Sequence, residues 1–423
     1  IIMKNVNFFA KAVSIYCICL LSATVTVHSA TKDMTNGKWT IRFNDETRKS
    51  EFVKDGTTIL QDVSVKFKHN ASIIESSSYS DIKFSEENYS DATGECKRFI
   101  IEYKNTENST YPTIQQCFYL YPDKDYFLTD VFLLSSGTSK IESNYIAPIY
   151  TETQNRFLPQ DANNRFLFVP FDNDGFITYG SLPLSRGIDP TSLGVGRYAR
   201  DTISFEVTSI FNGETQEGLV IGSVEHDTWK SAIRMTGSPL SQSYINKLEC
   251  YSGATHSITR DATDNNWLQP HGAVKGTKIK SARMLVGLFD DWRTGMETFG
   301  DVNALIAPKR EWNNPTPFGW NSWGGMERNI NFDGVISVSD FIKENIQGKG
   351  HFGEDGLVFV GLDSFWDNLN WEQLKQFADY CKANGQVPGI YWTPFCDWFP
   401  ENDRALEGNN GYFYSQTHLK VNG

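Results

Sequence analysis

The strongest constraint on the fold is a change of hydrophobic rhythm near residue 315. From about Thr31 to Ser281, short β-branched and aromatic runs are separated by turn residues, with hardly any helical period. Beyond Pro317 the pattern changes kind. Leu357-Val358-Phe359-Val360-Gly361-Leu362 is apolar without alternation, which is how a strand reads when a parallel sheet covers it on both faces. Pro317 to Trp320 reads as a short strand before it. Between them a helix is expected over about Gly334 to Gln347, with Val338, Phe341, Ile342 and Ile346 on one face. A second helix starts at Asn370, an N-cap with Gln373 three residues on. It presents Trp371, Leu374, Phe377, Ala378 and Cys381, and ends at Asn384-Gly385. Val387 to Trp392 is then a third strand. The order β-α-β-α-β requires parallel strands with right-handed crossovers, so residues 315–423 open either a (β/α)8 barrel or an open doubly wound sheet.

The first part reads as an antiparallel β-sandwich over residues 31–290. Trp39 to Phe43, Val63 to Phe67 and Phe99 to Tyr103 are strands. Cys117 to Tyr121 and Tyr126 to Phe132 form a hairpin through Pro122-Asp123-Lys124-Asp125. A helical pattern over Asp290 to Ala307 closes at Pro308, and Glu311 to Pro317 is polar and proline-bearing, so residues 291–314 are expected to be a helical linker.

Residues 1–30 have the build of a secretory signal peptide: Lys4 and Lys11, an apolar stretch from Ala12 to Val27, then small residues at Ser29 and Ala30. The stretch is shorter than the roughly 20 residues a spanning helix needs. A secreted or periplasmic protein is expected, free of the membrane after cleavage. The formal charge is -12, and removing that segment takes away two lysines and no acid, leaving -14. Such a chain repels nucleic acid and anionic lipid. The cysteines beyond residue 30 are Cys96, Cys117, Cys250, Cys381 and Cys396, scattered without zinc or disulfide spacing. No phosphate-binding loop and no G-x-S-x-G elbow occurs, and neither metal nor cofactor is expected.

Polar and aromatic residues gather at the ends of the three later strands: Asn321, Ser322 and Trp323; Asp363, Ser364 and Trp366; Tyr391, Trp392 and Asp397. That edge is where parallel α/β proteins bind ligands. On the residues alone, Asp363 suits a helix-capping carboxylate as well as a site carboxylate. Trp323 and Trp366 suit packing as well as stacking. Rings beside a carboxylate are the equipment of a sugar site, where flat apolar faces stack and hydroxyls donate to the acid. In the sandwich, Val169 to Phe176 interrupts apolar stretches with Asp172 and Asp174. It reads as a hairpin turn on Asp174-Gly175 or as a loop offering two hydroxyl acceptors, and it lacks the alternating ligands of a calcium loop. Glu225-His226-Asp227-Thr228-Trp229 reads as a strand end with its turn.

Phe318-Gly319-Trp320-Asn321-Ser322-Trp323, Leu362-Asp363-Ser364-Phe365-Trp366 and Gly389-Ile390-Tyr391-Trp392-Thr393-Pro394 resemble the first three barrel strands of α-galactosidases of glycoside hydrolase families 36 and 27. The match covers roughly residues 315 to 400, and a preceding sandwich is the family 36 arrangement. The resemblance implies a retaining mechanism on a terminal α-galactoside of an oligo- or polysaccharide. It places Trp323, Asp363 and Tyr391 around the sugar; Ser364, Trp366 and Trp392 stand beside them at the same strand ends and are expected to bind substrate with them. Ser364 stands where the family usually has a second aspartate, which leaves α-N-acetylgalactosaminides and other α-glycosides open as substrates. The nucleophile and acid/base, two carboxylates about 5 Å apart in a retaining enzyme, are implied after later strands and are expected beyond Gly423. A barrel takes about 250 residues, so these residues are expected to hold its first three β/α units and to lack catalysis. The rival from another class is a non-catalytic module that binds sugar through the sandwich.

Overall fold

The computed structural model describes residues 31–70, 72–108, 110–155, 163–169, 180–184, 202–238, 241–253, 273–313, 318–350 and 357–392, with residues 413 and 416. Asp172, Asp174 and Asp397 lie outside the described residues, as does the 1–30 segment. The chain divides into two units, one ending at Lys309 and one starting at Arg310.

The first unit is built on two large antiparallel sheets. One runs in the order β1 (Thr31–Asn36), β2 (Trp39–Asn44), β3 (Lys49–Lys54), β4 (Thr57–His69), β11 (Ile146–Thr151), β18 (Ser241–Ser252), β17 (Ser231–Ser238) and β14 (Thr202–Phe205), with β5 (Ser72–Glu75) beside β4. The other runs β13 (Gly180–Pro183), β12 (Asn164–Phe168), β15 (Val207–Asn212), β16 (Gly218–Ser223), β21 (Met284–Phe289), β9 (Tyr126–Leu134), β8 (Thr113–Leu120), β7 (Gly94–Lys104) and β6 (Asp81–Asp91), with β20 (Lys278–Lys280) beside β9. A small pair, β10 (Ile141–Ser143) with β19 (Val274–Gly276), stands apart. The alternation in β2 shows why the sheets stack. Trp39, Ile41 and Phe43 are fully buried while Thr40 and Arg42 are not. Trp39 meets Phe127 of the other sheet with ring centroids 4.9 Å apart at 66°, and Phe52 meets Phe127 at 5.1 Å and 84°, the edge-to-face contacts aromatic rings prefer. This core is that of a β-sandwich.

The outer face of the second sheet is also covered. The helix α1 (Trp292–Ile306) starts at Asp291, whose carboxylate accepts from Arg293 N, and buries Gly295 and Val302 against Val220, Leu285 and Phe289. Where the sequence reads a linker, this helix packs as part of the first unit. On the same face Asp130 has no exposure, yet it is paired. Arg283 Nε donates to Asp130 Oδ2 at 2.9 Å, the Tyr119 hydroxyl reaches both carboxylate oxygens at 3.3 Å, and Arg283 also meets Asp91 Oδ2 at 3.4 Å. Burial works against the guanidinium charge, but the carboxylate of Asp130 holds the Arg283 pKa above its ordinary value.

His226, between β16 and β17, ties α1 down. Asn303 Nδ2 donates to Phe299 O at 2.8 Å, which leaves Asn303 Oδ1 as an acceptor. His226 Nε2 donates to it at 2.7 Å, and Nδ1 faces Glu206 Oε1 at 3.6 Å. With an acceptor at each ring nitrogen, the imidazolium is the favoured form. The Glu206 contact raises the His226 pKa and His226 lowers that of Glu206.

The second unit is a parallel sheet in sequential order, β22 (Phe318–Asn321), β23 (Val358–Leu362), β24 (Val387–Ile390). Phe318 pairs with Val358 and Asn321 with Gly361; Phe359 pairs with Val387 and Leu362 with Ile390. After β22 comes a single turn, α2 (Trp323–Met326), then α3 (Phe332–Asn345); α4 (Trp371–Ala383) links β23 to β24. Val358, Val360 and Leu362 are buried in one cluster with Val335 and Ile342 of α3 and Phe377 and Cys381 of α4. Both helices therefore cover one face. Gly319 lies so near β23 that a Cβ there would stand 2.2 Å from Phe359 O, so the pairing of these strands excludes any larger residue. The Asn370 and Gln373 capping box opens α4 as the sequence predicts. The face of α3 differs. Its buried stripe is Val335, Ser339 and Ile342, while Phe341 is 58% exposed. Ser339 takes the inward place because its hydroxyl bonds Gln386 Oε1 at 2.6 Å. Val338, Phe341, Ile342 and Ile346, the four that the sequence puts on one face, together line an apolar groove of about 420 Å³ beside Phe318 and Trp320.

Candidate functional site

The C-terminal edge of the three-stranded sheet brings two of the sequence motifs into direct contact. Asn321 ends β22, and its side chain does two things. Its Nδ2 donates to Asp363 Oδ2 at 2.8 Å, and its Oδ1 accepts from Trp323 N at 2.8 Å. The following residue, Ser322, is fully buried; its hydroxyl oxygen accepts from Asp363 N at 2.8 Å, and its own N–H extends the ladder to Gly361 O at 3.0 Å. The second oxygen of Asp363 accepts from Ser364 N at 2.7 Å. The carboxylate is thus oriented from both sides, while Asp363 stays partly open to solvent. An acid held by neutral donors, with no ion pair among the described residues, keeps its capacity to accept further hydrogen bonds.

The aromatic residues divide. Trp323 is 46% exposed and lies nearly parallel to Phe365, the planes 13° apart and the centroids 6.4 Å apart. Trp366 opens a short 3-10 turn and packs, partly buried, against the cluster that holds Leu369 and Ile330. Tyr391 and Trp392 follow β24 at the same edge and are exposed, Trp392 at 69%. The backbone N–H of Tyr391 bonds Leu362 O, which carries the ladder one residue past the strand. Among the described residues no side-chain hydrogen bond joins Tyr391 or Trp392 to Asp363. Ser364 is half-buried beside Asp363. The residues Asp172 and Asp174 fall outside the described part, and no group of three or more metal-binding side chains occurs among the described residues.

Two contributors are harder to see in the sequence. Asn321 is visible there only as a polar residue at a strand end; that it bonds an acid 42 positions on depends on the parallel register of β22 and β23. Phe365 lies within a quoted motif, but nothing in the sequence gives it a role. Its φ of +71° and ψ of +14° put a bulky side chain in the left-handed region, at a cost of about 1–2 kcal/mol. Chemically the edge offers a fixed acceptor, a neutral hydroxyl and flat apolar rings, the set a neutral polyhydroxylated ligand needs.

No family model matches the chain, and no curated protein matches it. Solved structures do. The family 36 α-galactosidase AgaA from Geobacillus stearothermophilus aligns at a TM-score of 0.46 and 10% identity, over 86% of this chain and 56% of that one. The α-galactosidase from Lactobacillus brevis aligns at 0.46 and 10%, over 88% and 56%. The α-N-acetylgalactosaminidase NagBb from Bifidobacterium bifidum aligns at 0.43 and 10%, over 85% and 59%. The chain spans less than two thirds of each.

Proposed function

We propose that this chain is the sugar-recognising part of an α-galactosidase-like retaining glycoside hydrolase. In this reading the second unit supplies the first three β/α units of a (β/α)8 barrel, and the edge at Asn321, Trp323 and Asp363 receives a terminal α-galactoside or α-N-acetylgalactosaminide. The observation that carries it is the bond from Asn321 to Asp363, which assembles the two most specific motifs into one acceptor beside an exposed indole. The sequential order of β22, β23 and β24, with both helices on one face, supports a barrel over a doubly wound sheet, which needs a reversal of strand order. Ser364 in place of a second acid favours keeping the N-acetylated sugar among the candidates, since a hydroxyl recognises a neutral group without demanding a charge-assisted bond. The carboxylate pair of a retaining mechanism is assigned to no residue of this sequence, so recognition is the chemistry proposed for these 423 residues. In the same proposal residues 1–30 act as a secretory leader and the protein works outside the cytoplasm; the Lys4 and Lys11 flanks and the apolar stretch support this.

The test is ligand-observed NMR on the full chain with methyl α-D-galactopyranoside, methyl N-acetyl-α-D-galactosaminide and methyl α-D-glucopyranoside, alongside nitrophenyl α-glycoside hydrolysis. Saturation transfer to one of the galacto sugars, without turnover above buffer, is expected. Transfer to none of the three contradicts the reading, and turnover contradicts the assignment of catalysis elsewhere.

A further inference from the structure

The loop after β23 holds a feature that the resemblance does not account for. Phe365 sits at φ +71°, a region where glycine is at ease and a bulky residue is a genuine outlier. Core packing does not offset this, because the residue is 37% exposed. Strained residues that persist without a packing reason concentrate at ligand sites. What the conformation achieves is the placement of the ring. It lies 13° from parallel with that of Trp323 at a centroid distance of 6.4 Å. Both side chains remain exposed, Trp323 at 46% and Phe365 at 37%.

One asparagine ties together the backbone segments that carry the two rings. Trp323 N donates to Asn321 Oδ1, and Asn321 Nδ2 holds the Asp363 carboxylate two residues before Phe365. We propose that Phe365 is a ligand-binding residue. With Trp323 it forms a two-ring platform for the apolar face of a neutral pyranoside whose hydroxyls donate to Asp363. The inference rests on the sugar-site reading above and adds a second ring to it. A two-ring platform grips a flat C–H face more tightly than one indole and places no charge against the sugar.

Isothermal titration of the full chain with the methyl α-galactoside and the methyl N-acetyl-α-galactosaminide tests this, with thermal melts in parallel. Phe365→Ala should weaken binding about tenfold or more, and Phe365→Tyr should stay within about threefold of the parent. Phe365→Gly should raise Tm, because glycine accepts the backbone conformation, and still weaken binding about tenfold. A residue with only a structural role would shift Tm and leave Kd alone. Unchanged affinity in both Phe365→Ala and Phe365→Gly, with binding lost in Trp323→Ala and Asp363→Asn, overturns the platform and leaves the sugar site standing. A parent chain that binds neither sugar overturns both.

Discussion

Asn321 shows how one side chain can organise a site. Its amide is engaged at both ends, one on Asp363 and the other on Trp323 N, so Asn321→Ala frees the acid and the Trp323 backbone together. A hydrogen bond to a charged group is worth about 1.5–3 kcal/mol, less where solvent competes. Sugar affinity should therefore fall about tenfold while Tm hardly moves, a split that titration calorimetry and a melt would read together. A large Tm loss with unchanged affinity would make Asn321 a mere capping residue. Asp130 is the opposite case, a buried acid whose work is structural. Removing it leaves Arg283 inside the sheet face with weaker partners at Asp91 and Glu225. Asp130→Ala should cost about 3 kcal/mol in urea denaturation, because the stranded cation, not the lost bond, dominates. A change under about 1 kcal/mol would mean that water reaches the cluster.

At the scale of elements, α1 carries a pH dependence of definite sign. Pairing raises the His226 pKa above its unfolded value, so the tether is complete below that unfolded value, about 6.5. It is lost as pH rises through the higher folded value. Glu206 is depressed and sets the acid limb: its contribution is present above its unfolded pKa and lost as pH falls through the lowered one. Asp227 adds to the field around the imidazole. Protection of the last-turn amides near Asn303, corrected for intrinsic exchange, should decline as pH rises above about 6.5 in the parent. It should be flat in His226→Gln; the same decline in both would remove His226 from the account.

The elements were largely legible because the periods of 2 and 3.6 residues are written locally. The hairpin β8–β9, the Asn370 cap and the apolar run of β23 fall where the pattern puts them. The face of α3 was not, because a period says which residues share a side but not that Gln386 awaits a hydroxyl from Ser339. Helix α1 has the composition of a helix but no sign that the outer face of a sheet would receive it. The site was half legible. Trp323 and Asp363 stand out as residue types at strand ends, whereas Asn321's bond and the ring of Phe365 depend on register and on a left-handed φ that no propensity predicts.

For the whole molecule, the account assigns different work to the two units: a sandwich with its own aromatic core, and a parallel sheet whose carboxyl edge carries the acceptor and the rings. That division separates the proposed site from the rival in which the sandwich alone holds sugar. The most direct measurement is isothermal titration of methyl α-D-galactopyranoside and its N-acetylated counterpart into the full chain and into Asp363→Asn, which keeps the shape and one of the two N–H bonds that the carboxylate accepts but removes the charge. The account predicts saturable binding by the parent chain to at least one of the two sugars, weakened about a hundredfold or abolished in the variant. Equal binding by both proteins would move the site to the sandwich, and no binding by either would contradict the sugar-site reading itself.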